Sequence, residues 1–165
     1  MNKLISSLIF LFSISCYGGE DLIVSSQTLV EYDKPQVISH TGSVLIMKYD
    51  GWYFSHEIID PVKIYPSIDL TGLEKDFVKS LFEVSVRKSF PKWLSELSAE
   101  QATVFGIYEN KFDYKKLQKI EIYSIYDPES EKGNVFIIED NQIHHINVNG
   151  KKDKYTNLIN SIKER

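Results

Sequence analysis

The chain has 165 residues, of which 42% are hydrophobic, 25% charged and 13% aromatic. That composition belongs to an ordinary globular domain and excludes a disordered or low-complexity chain. With 19 basic against 23 acidic side chains the net charge is -4, which argues against broad electrostatic binding to nucleic acid. The single cysteine, Cys16, permits neither an internal disulfide nor a cysteine-rich zinc framework.

Residues 1–18 read as a secretory signal peptide. Lys3 precedes an apolar run from Leu4 to Ile14, and small and acidic residues, Gly18-Gly19-Glu20-Asp21, follow. The run is too short to span a bilayer, which takes roughly 20 residues. A cut after Gly18 predicts a periplasmic or secreted domain over 19–165, with 18 basic and 23 acidic side chains once Lys3 is gone. A cut before Cys16 is the alternative. The segment then resembles a bacterial lipoprotein signal, although Ser13 stands where an aliphatic residue is expected, and the resemblance implies lipidation of Cys16 and a membrane-anchored lipoprotein.

The remaining chain reads as one α+β domain. Its expected core is a mainly antiparallel sheet of about six strands, packed with one long interrupted helix and a C-terminal helix. Thr28 to Tyr32 is a strand, followed by a connection containing Pro35. Val44 to Tyr49 and Trp52 to Ile59 are rich in β-branched and aromatic residues, and Asp50-Gly51 between them marks a tight hairpin. Asp60-Pro61 and Tyr65-Pro66 predict an extended crossing segment, because a residue before proline avoids the helical region.

Thr71 and Glu74 have the spacing of a capping box. Phe77, Leu81 and Val84 then predict a helix over about 72–88, and Pro91 opens a second over about 91–98. Thr103 to Tyr108 and Gln118 to Tyr126 read as strands joined by a charged loop with Lys111, Lys115 and Lys116. Asn134 to Ile138 and Ile143 to Val148 form a second hairpin around Glu139-Asp140-Asn141-Gln142. Its first strand is apolar on both sides, which predicts cover from two layers. Asp153 is placed to cap a last helix bearing Tyr155, Leu158, Ile159 and Ile162 at helical spacing.

This order of elements, with the Asp50-Gly51-Trp52 hairpin leading toward an interrupted helix, resembles the PsbP/MOG1-like small α/β sandwich over residues 28–163. The resemblance implies a fold; no family motif is matched and no site residue is carried over with it.

Catalytic signatures are missing from the sequence. There is no Gly-x-Ser-x-Gly elbow and no phosphate-binding glycine loop. His56-Glu57 lies in a strand, where neighbours point to opposite faces, so the pair does not make a helical zinc motif. His144-His145 diverges for the same reason, and the hairpin register sets His144 opposite Ile137 and His145 opposite Phe136. Both histidines are expected half-buried, with no metal and no cofactor, and His40 adds no spacing that demands one. Glu129, Glu131, Glu139 and Asp140 read as solvated turn charges.

Aromatic side chains exceed what a small core buries, and such residues are enriched in binding hot spots. Trp52, Tyr53, Tyr108, Tyr123 and Tyr126 are the candidate binding patch. The expected function is that of a non-catalytic exported envelope protein that binds another protein, with an inhibitor or immunity protein as the particular form. The alternatives are a small-ligand carrier of the cell envelope and a hydrolase with an unrecognised site.

Overall fold

In the computed structural model, residues 19–165 are described; the leader and Cys16 lie outside the described residues. In chain order the elements are β1 (Glu20–Ile23), β2 (Thr28–Tyr32), β3 (Val37–Thr41), β4 (Val44–Tyr49), β5 (Trp52–Ile58), α1 (Pro61–Ile64), α2 (Glu74–Phe82), α3 (Val84–Ser89), α4 (Lys92–Val104), β6 (Phe112–Lys116), β7 (Glu121–Asp127), β8 (Lys132–Ile138), β9 (Ile143–Asn149), α5 (Lys152–Ser161) and β10 (Ile162–Glu164). The fold is α+β. Seven strands form an antiparallel sheet in the order β3-β4-β5-β9-β8-β7-β6, and β1-β2-β10 form a second, small sheet.

Local chemistry sets the two hairpins that organise the large sheet. Tyr49 pairs with Trp52 across Asp50-Gly51, and Gly51 sits at φ 73°, where a side chain would be strained. Ile138 pairs with Ile143, which puts His144 opposite Ile137 and His145 opposite Phe136, the register read from the sequence. Because β8 and β9 are central, both of their faces must be covered.

One face presents Phe54, Val135, Ile137, Ile146 and Val148 to α5 and the small sheet, which contribute Tyr155, Leu158, Ile162 and Val30. The opposite face presents Tyr123, Ile125, Phe136 and Ile143 to Val78, Leu81, Phe82 and Ala102 of α2 and α4. Complete burial of each large apolar side chain contributes about 1.5–3 kcal/mol. Two glycines allow close approach on the first face. A β-carbon at Gly133 would lie 2.2 Å from Tyr155 Cδ2, and one at Gly150 would lie 2.6 Å from Trp52 Cβ.

Several expected elements are corrected. Thr103 to Tyr108 is not a strand: α4 runs to Val104 and ends in a Schellman motif. There Ile107 N donates to Ala102 O (2.9 Å), Gly106 N donates to Thr103 O (2.9 Å), and Gly106 takes φ 68°. The charged loop carrying Lys115 and Lys116 is instead edge strand β6, and the connection after Pro35 contains edge strand β3.

The capping box does not form, because Gly72 at φ 78° cannot enter a helix and α2 begins two residues later. Asp60-Pro61 opens the short helix α1, with Asp60 Oδ1 accepting from Val62 N at 3.1 Å and proline in the first turn. Asp153 lies inside the first turn of α5 rather than capping it.

The long helix expected over 72–88 breaks at Glu83, whose backbone is extended. Arg87 closes the break. Its Nε donates to Ser80 O at 2.9 Å and its Nη2 to Leu81 O at 2.6 Å, satisfying carbonyls at the C-terminal end of α2. It also meets Ser98 Oγ on α4 at 3.2 Å and the Tyr108 hydroxyl.

Candidate functional site

The β4-β5 turn creates the clearest surface feature. Tyr49 and Trp52 are cross-strand partners beside a two-residue turn, so their rings must lie side by side. They stack with centroids 4.3 Å apart and planes 8° from parallel, and Phe54 continues the aromatic wall at 6.2 Å from each. Strand β2 and helix α5 stand over this wall and enclose a groove of about 340 Å³. Tyr32, Glu31 and Asp33 line it from the β2 side, and Lys154, Asn157 and Ser161 from α5.

Charge in the groove is uneven. Glu31 is held by Lys163 of β10, whereas Asp33 forms no ion pair among the described residues. The Tyr49 hydroxyl is pushed up to about 12, first by burial and then by the Asp33 charge. The Tyr32 hydroxyl donates to Glu20 at 2.9 Å, and that bond is the leading cause of its raised pKa. The groove thus offers a flat aromatic wall, hydroxyl and amide groups, and a free carboxylate at its edge.

The five aromatics singled out from sequence do not form one patch. Trp52 lies in the groove, while its neighbour Tyr53 points to the other face of the sheet and is exposed. Tyr108 is exposed beside Arg87, well apart in the fold. Tyr123 and Tyr126 are core residues, 1% and 8% exposed, on opposite faces of β7. Strand alternation forces this split. Tyr49, which the proposed patch omitted, was legible from the turn, because a two-residue loop fixes it opposite Trp52. Tyr32 and Asp33 had no local signal, since β2 reaches the groove only through the second sheet.

A second polar constellation is buried between the two sheets. His144 is completely buried, not half-buried. Its Nδ1 lies 3.1 Å from His56 Nε2, and its Nε2 lies 3.3 Å from Glu139 Oε1, off the direction of a good hydrogen bond. Glu139, read from sequence as a solvated turn charge, is 5% exposed and accepts 2.5 Å hydrogen bonds from Ser25 Oγ and Thr28 Oγ1.

Burial lowers the pKa of His144, opposed by the Glu139 charge. Burial, followed by the nearby histidines, lowers His56 to about 4. On the opposite face His145 meets Glu57 at 3.2 Å and Asn134 Oδ1 at 3.0 Å, and burial lowers its pKa as well.

This chain of contacts ties β5 and β9 to the β1-β2 connection. The hydroxyls donate to a carboxylate and the imidazole contacts an imidazole, so the described geometry contains no hydroxyl activated by histidine. The two imidazoles face each other while Glu139 sits beyond His144, and among the described residues no three metal-ligating side chains converge on a point. His40 is exposed on β3, apart from this chain. A larger open cleft of about 1020 Å³ lies beside α1 and the β8-β9 turn, but its flanks carry both signs of charge, with Lys63 paired to Asp60 at 3.3 Å and Lys75 donating to Asp140 O.

The fold and groove therefore define an α+β protein of two packed sheets with an aromatic, carboxylate-edged groove. No protein-family model, curated protein or solved structure matches the chain. Among the described residues, no helix is long and apolar enough to cross a membrane.

Proposed function

We propose that the protein is a non-catalytic, exported envelope protein that binds another protein through the groove between β2, the β4-β5 hairpin and α5. The observation that carries this reading is the stacked Tyr49–Trp52 pair forming an open wall beside Asp33. Rigid stacked aromatics supply contact area at little entropic cost, and such residues anchor interfaces. The charge of residues 19–165, 18 basic against 23 acidic, favours a partner whose contacting surface is basic. An inhibitor or immunity protein facing a basic envelope-acting toxin fits that description. Export rests on the N-terminal charge and apolar order, and the PsbP/MOG1-like resemblance adds an expectation about architecture alone.

The test is affinity capture from the protein's own envelope fraction, run in parallel with wild type and Trp52→Ala. A protein retained by wild type and lost from the variant supports the reading. Equal retention by both places the interface elsewhere.

A further inference from the structure

Among the described residues the two sheets have four free edges, and three of them carry charge. Strand β6 presents Asp113, Lys115 and Lys116; β1 presents Glu20 and Asp21; β10 presents Lys163 and Glu164. Charged edge residues discourage pairing with another strand. Strand β3, Val37-Ile38-Ser39-His40-Thr41, has no acidic residue, lysine or arginine, and Val37 and Ile38 are 51% and 56% exposed. Pairing with β4 is continuous along all five residues, so the edge is regular over β3 and any bulge is confined to its start.

Backbone geometry fixes what this edge offers. The two-residue turn Gly42-Ser43 closes on the pair Thr41–Val44. In such a hairpin the closing pair exchanges both hydrogen bonds and alternate pairs follow suit. Val37, Ser39 and Thr41 therefore direct their N–H and C=O groups to β4, and those of Ile38 and His40 point outward. Just before the strand, Gln36 N donates to Lys48 O at 2.8 Å, which ends the free edge.

We infer that β3 is a self-association edge and that its occupant is β3 of a second copy of this chain. Antiparallel pairing about a two-fold axis at Ser39 sets Ile38 opposite His40 of the second copy and Val37 opposite its Thr41. The outward groups of Ile38 and His40 on both copies then form four backbone hydrogen bonds. Neither strand carries an acidic residue, lysine or arginine, so pairing like with like brings none of those charges together. Ile38 is the exposed end of the row Val148–Phe54–Met47–Ile38, whose other members are buried, and pairing would cover it with His40 of the second copy, followed by Leu45. The two seven-stranded sheets become one. A contact limited to a five-residue edge falls in the small, weak interface class, so the expected dissociation constant is on the order of 10–100 μM.

Sedimentation equilibrium across a concentration series, on the protein as the cell processes it, tests the inference. Wild type is expected to show a monomer–dimer equilibrium. Ile38→Lys, or His40→Lys should the first variant unfold, is expected to raise the dissociation constant at least tenfold with an unchanged melting temperature. Ile23→Lys on the β1 edge should leave the equilibrium intact. Concentration-dependent exchange protection of the Ile38 and His40 amides would locate the contact. A monomer at several hundred micromolar, a dimer insensitive to both β3 variants, or protection at β3 only after a different protein is added would each overturn the inference.

Discussion

The imidazoles of His56 and His144 approach to 3.1 Å inside the layer between the two sheets, and the far side of His144 meets a buried carboxylate, Glu139. One imidazole donates and the other accepts, so the contact requires at least one neutral ring. A tautomer chain with His56 Nε2–H donating to His144 Nδ1 leaves His144 Nε2–H beside Glu139 Oε1 at 3.3 Å, near the carboxylate but off the direction of a good hydrogen bond. Ser25 and Thr28 complete the carboxylate's shell and thereby bind the small sheet to the large one.

This arrangement makes stability depend on acid. His56 falls from its ordinary 6.5 to about 4, and His144 and His145 are also lowered. A histidine with a lowered folded pKa binds more protons when unfolded, so its contribution is complete above pH 6.5 and declines as pH falls toward the folded value. The expected slope is about 1.4 kcal/mol per pH unit for each imidazole that stays neutral. Urea denaturation from pH 7.5 to 4.5 should show this loss, and His56→Gln should reduce the slope by about one proton. Equal slopes in the two proteins would contradict the assignment.

Gly133 is expected to be intolerant of any side chain. It lies under the Tyr155 ring, where an added β-carbon would approach to 2.2 Å. Gly133→Ala should destabilise the domain by about 2 kcal/mol or more through overpacking. In a double-mutant cycle with Tyr155→Ala, the combined loss should be clearly less than the sum of the single losses. Additive losses would show that the two residues do not share this constraint.

Arg87 serves a backbone end rather than a carboxylate. It is 7% exposed and forms no ion pair among the described residues, and its guanidinium spans Ser80 O, Leu81 O and Ser98 Oγ. Arg87→Ala would leave buried carbonyls without donors, and the expected loss is about 2–4 kcal/mol. Arg87→Lys should recover only part of it, because an ammonium lacks the planar fork. Full recovery by lysine would mean that charge alone matters at the break.

Local signals explain which parts of the fold were readable. Asp50-Gly51 and the Glu139–Gln142 turn set both hairpin registers, and with them the opposite directions of His144 and His145. Edge strands β3 and β6 escaped notice because an edge has no need of alternating apolar faces, and Lys115 and Lys116 resemble loop residues. Gly106 did mark the end of α4, but Thr103, Val104 and Phe105 have the residue types of a strand and masked it. The burial of Glu139 had no local signal at all: its partners Ser25 and Thr28 lie 114 and 111 residues away. Half of the groove was legible in the hairpin, and the other half depends on where β2 and α5 pack.

The most direct measurement of the proposed function is the affinity of the captured partner for three variants, determined by calorimetry. Trp52→Ala should weaken binding by about 30-fold or more, as expected for a hot-spot aromatic. Asp33→Lys, an exposed change with no ion pair to break, should weaken it at low salt and less so at high salt. Tyr53→Ala, on the opposite face of the sheet, should leave affinity within about twofold. Undiminished affinity in both Trp52→Ala and Asp33→Lys would contradict the groove as the binding surface.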